Sequence, residues 1–354
     1  MIVFDNIVYY LQYIGGNSVF WTELLKRIED RKIAHQYIEY YNVPNNILRK
    51  ELNLTDIDIR KKRLLERYRP LKINYRNSFV FHSSYYRYTT NKKAEHVITV
   101  HDFIYEKFIK GLRQTVHSFQ KSMAIRKADV VVCISESAKN DMLYYYPEFK
   151  DKDIRIVYNG VGTIFYPIKE RKLQYPFSEL NNRKYILFVG NRVGYKNFKF
   201  VTEVFSRLHR SFHIVIVGPD LTNKEKQWLS YNNNINRIHH YKGIADSNLN
   251  ILYNDAYCLL FPSLYEGFGI PIIEAMKAGC PVITTAFSSI PEVAGNAALY
   301  IEGLSVDSAI SEIGRLESQA TRDAIKTKGL LNASRFSWEK NFREYLEIYK
   351  KLCI

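Results

Sequence analysis

Residues 265–276, YEGFGIPIIEAM, decide how this chain is read. They set two carboxylates, Glu266 and Glu274, eight positions apart, with a Gly-Phe-Gly turn between them and a helix-like segment behind. Upstream, YCLLF (257–261) is a short apolar run followed by a proline, the pattern of a buried strand. Strand, glycine loop and helix in that order present free backbone N–H groups to an anion. Ionised glutamate accepts two hydroxyl hydrogen bonds, so carboxylates at both ends of the loop suit a ligand carrying phosphate and hydroxyls. A nucleotide-sugar is such a ligand. A strand–turn–helix with solvated glutamates is the alternative.

Working outward, strand-like runs recur with helix-like segments between them, which indicates an α/β chain with parallel sheets. The first half offers NIVYYL (6–11), SFVFHS (78–83), HVITVHD (96–102), DVVVCIS (129–135) and IRIVYNGV (154–161). Residues 162–184 carry two prolines and little periodicity, as a linker would. The alternation then restarts with KYILFVG (184–190), FHIVIVG (212–218), NRIHHYKG (236–243), YCLLFP (257–262), PVITT (281–285) and ALYIE (298–302). The expected domains are 1–163, a linker at 164–183, and 184–335, each domain a doubly wound sheet, with a ligand cleft between them. A terminal segment, 336–354, places Phe336, Phe342, Leu346 and Tyr349 at helical spacing, with Ser337 as N-cap.

At 354 residues the chain exceeds one ordinary core, and 46% hydrophobic residues argue for a folded protein. No apolar run approaches the ~20 residues that cross a bilayer, and the first residues lack the marks of a secretory signal. Cys133, Cys258, Cys280 and Cys353 are scattered without CxxC spacing, against zinc ribbons and disulfides and in favour of a reducing cytosol. Net charge is +15, of which residues 1–163 contribute +9 from 27 basic and 18 acidic residues. Residues 60–72, RKKRLLERYRPLK, hold seven basic residues and one acid; 107–128 hold six and none. In the second cluster Phe108, Leu112, Val116, Phe119 and Met123 form one apolar helix face among basic ones. Such a helix either lies on an anionic membrane surface or turns its apolar face to the core. Nucleic acid would also suit the charge, but zinc-finger, RNP-type and basic-zipper patterns are absent, so no nucleic-acid partner is expected.

Three further constellations carry chemistry. Gly15-Gly16 sits before the amphipathic SVFWTELLKRI, where glycine lets a backbone N–H approach a phosphate. GNRVGYKN (190–197) follows a strand and offers Arg192 and Lys196 to a diphosphate, a guanidinium fork and an ammonium, with Lys199 a nearby competitor. TVHD (99–102) delivers His101 and Asp102 at a strand end, where a histidine can hydrogen-bond a sugar hydroxyl or phosphate oxygen. HSSYYR (82–87) offers paired tyrosines as a sugar-stacking wall, or else is a buried turn. A G-x-S-x-G elbow, a Walker A loop and an H-E-x-x-H helix are absent from the sequence.

YEGFGIPIIEAMKAGCPVITT followed by SSIPEVAGNAALYIE (288–302) resembles the signature of the retaining GT-B glycosyltransferases grouped as family 4, the mannosyltransferase-like group 1 transferases. HDF (101–103), CISESAKNDM (133–142), IRIVYNGV, FVGNRVGYKN (188–197) and FSWEK (336–340) match in order along the chain. The resemblance implies two facing Rossmann-like domains with the donor held mainly by the C-terminal one, and a last helix crossing back to the N-terminal domain. It implies that Glu274 holds the nucleotide ribose. Glu266, the Gly267 turn and the amides of Phe268, Gly269 and Ile270 would meet the donor hexose and its phosphates. Arg192 and Lys196, with Asn197 beside them and the Gly16 amide after Gly15, would stabilise the diphosphate. His101, with Asp102 beside it, would sit at the transferred sugar. The chain departs from the family in reading Tyr195-Lys196-Asn197 where an Arg-Lys-Asn triplet is usual, and Asn296 where many relatives carry Asp.

The expected activity is transfer of a mannose-like hexose from a nucleotide-diphospho-sugar to a glycan or lipid-linked oligosaccharide, in assembly of a bacterial surface polysaccharide. No cofactor and no metal are expected. The expected place is the cytoplasm, peripheral on the inner membrane face. Alternatives are a nucleotide-sugar epimerase on the same fold and a non-catalytic nucleotide-sugar binder.

Overall fold

The computed structural model describes residues 1–41, 46–169, 177–230 and 235–352. They form two units, Met1–Gly160 with Trp338–Ile354, and Val161–Ser337.

The first unit is built on seven parallel strands: β1 (Ile2–Asp5), β2 (His35–Tyr40), β3 (Ile57–Arg60), β4 (Phe79–Ser83), β5 (Ala94–Val100), β6 (Val130–Cys133) and β7 (Asp153–Ile156). Their order is β3-β2-β1-β4-β5-β6-β7. The central strands β1, β4 and β6 are buried throughout, as expected of sheets covered on both faces. The run 6–11 is not a strand. IVFD ahead of it is β1, and Ile7–Tyr10 forms a 3-10 turn with Ile7, Val8 and Tyr9 buried. A short apolar run serves either conformation once it is buried, so its composition could not separate them. The sequence reading also passed over β2 and β3, whose charged residues break the apolar pattern. Glu39 in β2 is buried and held by Arg49 Nε at 2.6 Å and by the Asn6 amide at 2.8 Å.

The helix Trp338–Leu352 belongs to this first unit. Trp338, Phe342, Tyr345 and Tyr349 pack into the core of β1, β4, β5 and β6. Tyr349 Oη lies 2.6 Å from His82 Nδ1, Thr99 Oγ1 3.0 Å from His82 Nε2, and Tyr345 Oη 2.8 Å from Thr99 Oγ1. Burial holds the His82 ring neutral, lowering its pKa to about 3. Residues 82–87 are therefore a buried structural turn and not a sugar wall. Ser83 and Arg87 bind the buried Asp5 carboxylate, and Arg87 also reaches Glu66.

The basic helix is Leu112–Lys127, and it is inside out. His117, Gln120, Lys121, Ala124 and Ile125 face the core, whereas Leu112 is 79% and Phe119 67% exposed. The reading that turned its apolar stripe to the core is overturned. Polar partners explain the inversion. Lys121 Nζ meets Glu106 Oε2 and the Asp102 carbonyl, both at 2.8 Å, and the Gln120 amide donates to the Arg67 carbonyl.

The second unit carries β8 (Lys184–Val189), β9 (Phe212–Val217), β10 (Ile238–Tyr241), β11 (Cys258–Phe261), β12 (Val282–Thr284) and β13 (Leu299–Tyr300). All pairings are parallel, in the order β10-β9-β8-β11-β12-β13. Each sheet thus reverses strand order beside its first strand, at β1/β4 and at β8/β11, the points where loops diverge and leave a crevice. Within the stretch expected as a linker, Phe165, Phe177 and Leu180 are buried in the second unit, and 170–176 lie outside the described residues. Cys133, Cys258 and Cys280 are buried free thiols, and Cys353 lies outside the described residues. Among the described residues no helix is long and apolar enough to cross a membrane.

Candidate active site residues in each unit

In the second unit the loops after β8 and β11 meet at the switch point. The Leu264 N–H donates to the Tyr195 carbonyl at 2.7 Å, tying one loop to the other. This tie brings Lys196 Nζ to 2.6 Å from Glu266 Oε1, with both side chains nearly buried. The ammonium also lies 5.1 Å from the centre of the Phe261 ring. Asn197, next to it, takes a left-handed backbone (φ 54°) and begins the helix Phe198–Arg207. The conformation is uncommon for a residue with a side chain, and Asn is among those that tolerate it.

The Glu266 loop is stapled from the turn after β12. Ser288 Oγ accepts from the Glu266 N–H at 2.8 Å and donates to its carbonyl at 3.0 Å. Ser289 Oγ lies 2.9 Å from the Glu266 carbonyl and 3.1 Å from that of Phe268. Phe268 turns its ring onto Phe336, 5.5 Å between centres, so only its backbone is left for a ligand. Gly269 (φ 98°) ends the loop and begins the helix Ile270–Lys277, and a side chain there would press on Ile272 at 3.2 Å. Glu274 sits on that helix and accepts from Tyr253 Oη at 3.1 Å. Burial, reinforced by the charge of Asp246, pushes its pKa up to about 8 from the ordinary 4.5.

Arg192 is placed differently from the sequence reading. Its Nε donates to Glu225 Oε1 at 2.9 Å, and Nη2 to the carbonyls of Pro219 and Asp220 at 2.7 Å. The side chain is almost fully buried, and only Nη1 lacks a partner. Glycines allow this packing: a Cβ at Gly218 would lie 2.3 Å from the Gly190 carbonyl oxygen. Arg192 thus braces the loop that carries Lys196.

In the first unit, His101 follows β5 and rests edge-on against Phe20 of the helix Gly16–Asp30, 5.3 Å between centres. Burial and the Lys121 charge keep it neutral, with its pKa lowered to about 3. Asp102 Oδ1 caps the following turn by accepting from the Ile104 N–H at 3.0 Å. Gly15 precedes the helix, and its N–H donates to Ser18 Oγ at 3.0 Å. Gly15, Gly16, His101 and Asp102 therefore belong to one unit, and Lys196, Asn197, Gly267, Glu266 and Glu274 to the other. The sequence reading missed Tyr253, Ser288, Ser289 and Glu225. Ser288 and Ser289 stood in a quoted motif, but nothing local marks Tyr253 or Glu225 as partners of residues 21 and 33 positions away.

Residues 171–329 match the family model described as Glycosyl transferases group 1, and residues 18–164 the model described as Glycosyltransferase Family 4. The chain belongs to these glycosyltransferases. This group 1 and family 4 glycosyltransferase is 38% identical over 110 residues to O-antigen chain mannosyltransferase B of Escherichia coli, covering 31% of the chain and 29% of that protein. It is 30% identical over 234 residues to O-antigen chain mannosyltransferase RfbU of Salmonella typhimurium, covering 64% of the chain and 62% of that protein. The match thus spans less than two thirds of either relative. Its fold is that of solved GT-B glycosyltransferases. Sucrose-phosphate synthase from Thermosynechococcus elongatus superposes with a TM-score of 0.78 at 16% identity, covering 99% of this chain and 98% of that one. WaaG, a glycosyltransferase involved in lipopolysaccharide biosynthesis, gives 0.72 at 16% identity with 99% of each chain covered. Anabaena Alr3699/HepE, solved with UDP-glucose, gives 0.77 at 14% identity, again with 99% of each covered.

Proposed function

We propose that the chain moves a mannose-like hexose from a nucleotide-diphospho-sugar to a hydroxyl of a glycan or lipid-linked oligosaccharide during bacterial surface polysaccharide assembly, with retention at the anomeric carbon. The observation that carries this reading is the meeting of Lys196 and Glu266 at the β8/β11 switch point, beside the start of the helix that bears Glu274. Phosphate, hexose and ribose would each find a matching group there. The O-antigen mannosyltransferase relatives favour mannose and a polysaccharide acceptor, and the UDP-glucose complex of a structural neighbour favours a nucleotide-diphospho-sugar donor.

In this reading the donor diphosphate takes Lys196 from Glu266. The ammonium and the amides at Gly269 and Ile270 then stabilise the negative charge that builds on the departing diphosphate as the glycosidic bond breaks. Glu266, released, accepts hydrogen bonds from the hexose hydroxyls, and Glu274 from the ribose. Arg192, buried against Glu225 and two carbonyls, would serve the diphosphate by bracing the loop that carries Lys196. On the first unit, the neutral His101 and the Gly16 amide are the groups suited to a sugar hydroxyl and a phosphate oxygen. The donor is the sole small-molecule requirement, without a cofactor, and the protein works peripherally on the inner membrane face.

The test is incubation of the chain with GDP-mannose and other nucleotide-sugars, with and without an oligosaccharide acceptor, followed by NMR of the product. An α-linked product from an α-linked donor supports the reading. A new nucleotide-sugar formed without acceptor would identify an epimerase instead.

A further inference from the structure

A helix that turns a lysine inward forgoes apolar burial and must place the charge on something fixed. In the helix Leu112–Lys127 that lysine is Lys121, whose side chain is wholly out of solvent. Burial works against its ammonium, and the carboxylates of Glu106, Asp102 and Asp141 work for it. Glu106 makes the contact, Oε2 accepting from Lys121 Nζ at 2.8 Å. The other oxygen, Oε1, lies 3.0 Å from Ser118 Oγ and 3.1 Å from Tyr146 Oη. The carboxylate is therefore an anchor and not a mobile counter-ion.

What the anchored ammonium grips is the loop that carries His101. Its second hydrogen bond goes to the Asp102 carbonyl at 2.8 Å, and it lies 4.1 Å from the centre of the Phe103 ring. Phe103 is buried in its turn and stacks on Tyr145, 5.5 Å between centres and 7° between planes. Lys121 thus holds residues 102, 103 and 106 at once, directly behind His101 at the end of β5. The Asp102 carbonyl belongs to the neighbour of His101, so fixing it sets the direction in which the imidazole leaves the strand. Burial first, and then the Lys121 charge, disfavour a proton on His101 and on His117 alike. His82, a further titratable neighbour, is kept neutral too.

We infer that Lys121 is a positioning residue for the transfer: anchored on Glu106, it holds the Asp102 carbonyl and the Phe103 ring, and so aims His101. This role rests on the one proposed above for His101. It also gives the inverted helix a use. Lys121 follows Leu112 by nine positions, about two and a half turns, which puts it on the side opposite the exposed stripe. Turning the lysine to the loop turns the stripe away from the core.

The experiment compares the full chain with Lys121→Met, with Lys121→Met plus Glu106→Gln, and with Lys121→Arg. The single Met variant leaves Glu106 buried without its counter-charge and melts lower, whereas the double variant removes both charges and melts close to wild type. In the double variant, kcat for GDP-mannose with an oligosaccharide acceptor falls about 10²-fold, as for a group misplaced by ~1 Å. The KM for GDP-mannose, and the rise in melting temperature that GDP-mannose brings, stay as in wild type. Lys121→Arg keeps a cation for both oxygens and recovers most of the rate.

NMR gives a readout that needs no ligand. The His101 ring signal, assigned by its loss in His101→Gln, carries the ring-current shift of Phe20, against which it rests. In wild type it does not titrate between about pH 5 and 8. In the double variant it loses that shift and titrates. Lys121→Gln with Glu106→Gln, a neutral pair too short to reach Asp102, answers the same question where the Met variant does not fold. A folded double variant with wild-type kcat, or with an unmoved His101 signal, overturns the inference. Absence of turnover by the wild type with any nucleotide-sugar would count against the transferase reading, and the His101 signal would still decide whether Lys121 holds the loop.

Discussion

Lys196 and Glu266 are the residues on which the proposed chemistry turns, and they are paired with each other. In the proposed reaction their 2.6 Å contact would neutralise the site before the donor arrives and release a cation when a diphosphate competes for it. Lys196→Ala is expected to lower kcat by about 10²–10³, the usual worth of one charge-stabilising donor, as measured by steady-state product formation. Glu274 carries the second prediction. Its pKa, raised by burial from 4.5 to about 8, means that the folded chain holds a proton the unfolded chain has lost across that range. Its contribution to stability is therefore full below about pH 4.5, falls as pH rises, and is lost above about pH 8. Glu274→Gln should flatten the fall in melting temperature of the second unit between those values while weakening donor binding by calorimetry. Tyr253→Phe removes the hydrogen bond that lowers this pKa, so donor affinity should depend on pH at still higher values. The glutamate pair was legible in the sequence because loop and spacing are local. Tyr253 was not, because its only tie to Glu274 is through space.

At the level of elements, the glycine loop owes its shape to a neighbour. Ser288 accepts from the Glu266 N–H and donates to its carbonyl, and the single Ser289 hydroxyl proton is shared between the Glu266 and Phe268 carbonyls. Ser288→Ala with Ser289→Ala removes those bonds at about 1 kcal/mol each. The double variant should raise KM for the donor and lower kcat more than it lowers melting temperature; an unchanged KM would show that the loop holds its shape unaided. Arg192 was aimed at the diphosphate because loop cations after a strand commonly serve phosphate, but Glu225 and two carbonyls claim most of its guanidinium. Arg192→Ala should accordingly cost about 3 kcal/mol of stability in urea unfolding as well as turnover, since it leaves Glu225 nearly buried without its counter-charge. The inverted basic helix belongs to this scale too. Its stripe was plain from spacing, yet spacing is the same whichever way a stripe faces.

Across the whole molecule, the C-terminal helix decides how the chain can be cut. Trp338, Phe342, Tyr345 and Tyr349 complete the core of a unit that otherwise ends at Gly160. A chain stopped after Ser337 should lose the cooperative melting of its first unit, whereas Val161–Ser337 expressed alone should melt cooperatively by calorimetry. The first unit also carries three histidines, His82, His101 and His117, kept neutral by burial with pKa values lowered to about 3. Their contribution is present above about pH 6.5 and lost as pH falls toward 3, opposite in sign to that of Glu274. The sequence alone determined the α/β alternation, the two-sheet organisation, the family and the loops at the strand ends. These follow from local periodicity and short motifs, which survive being read one window at a time. Tertiary structure alone decided which cation faces the glycine loop, which tyrosine holds Glu274 and which way the basic helix turns. Each of those is settled by a distant partner competing for a polar group, and such competition leaves no trace in local sequence.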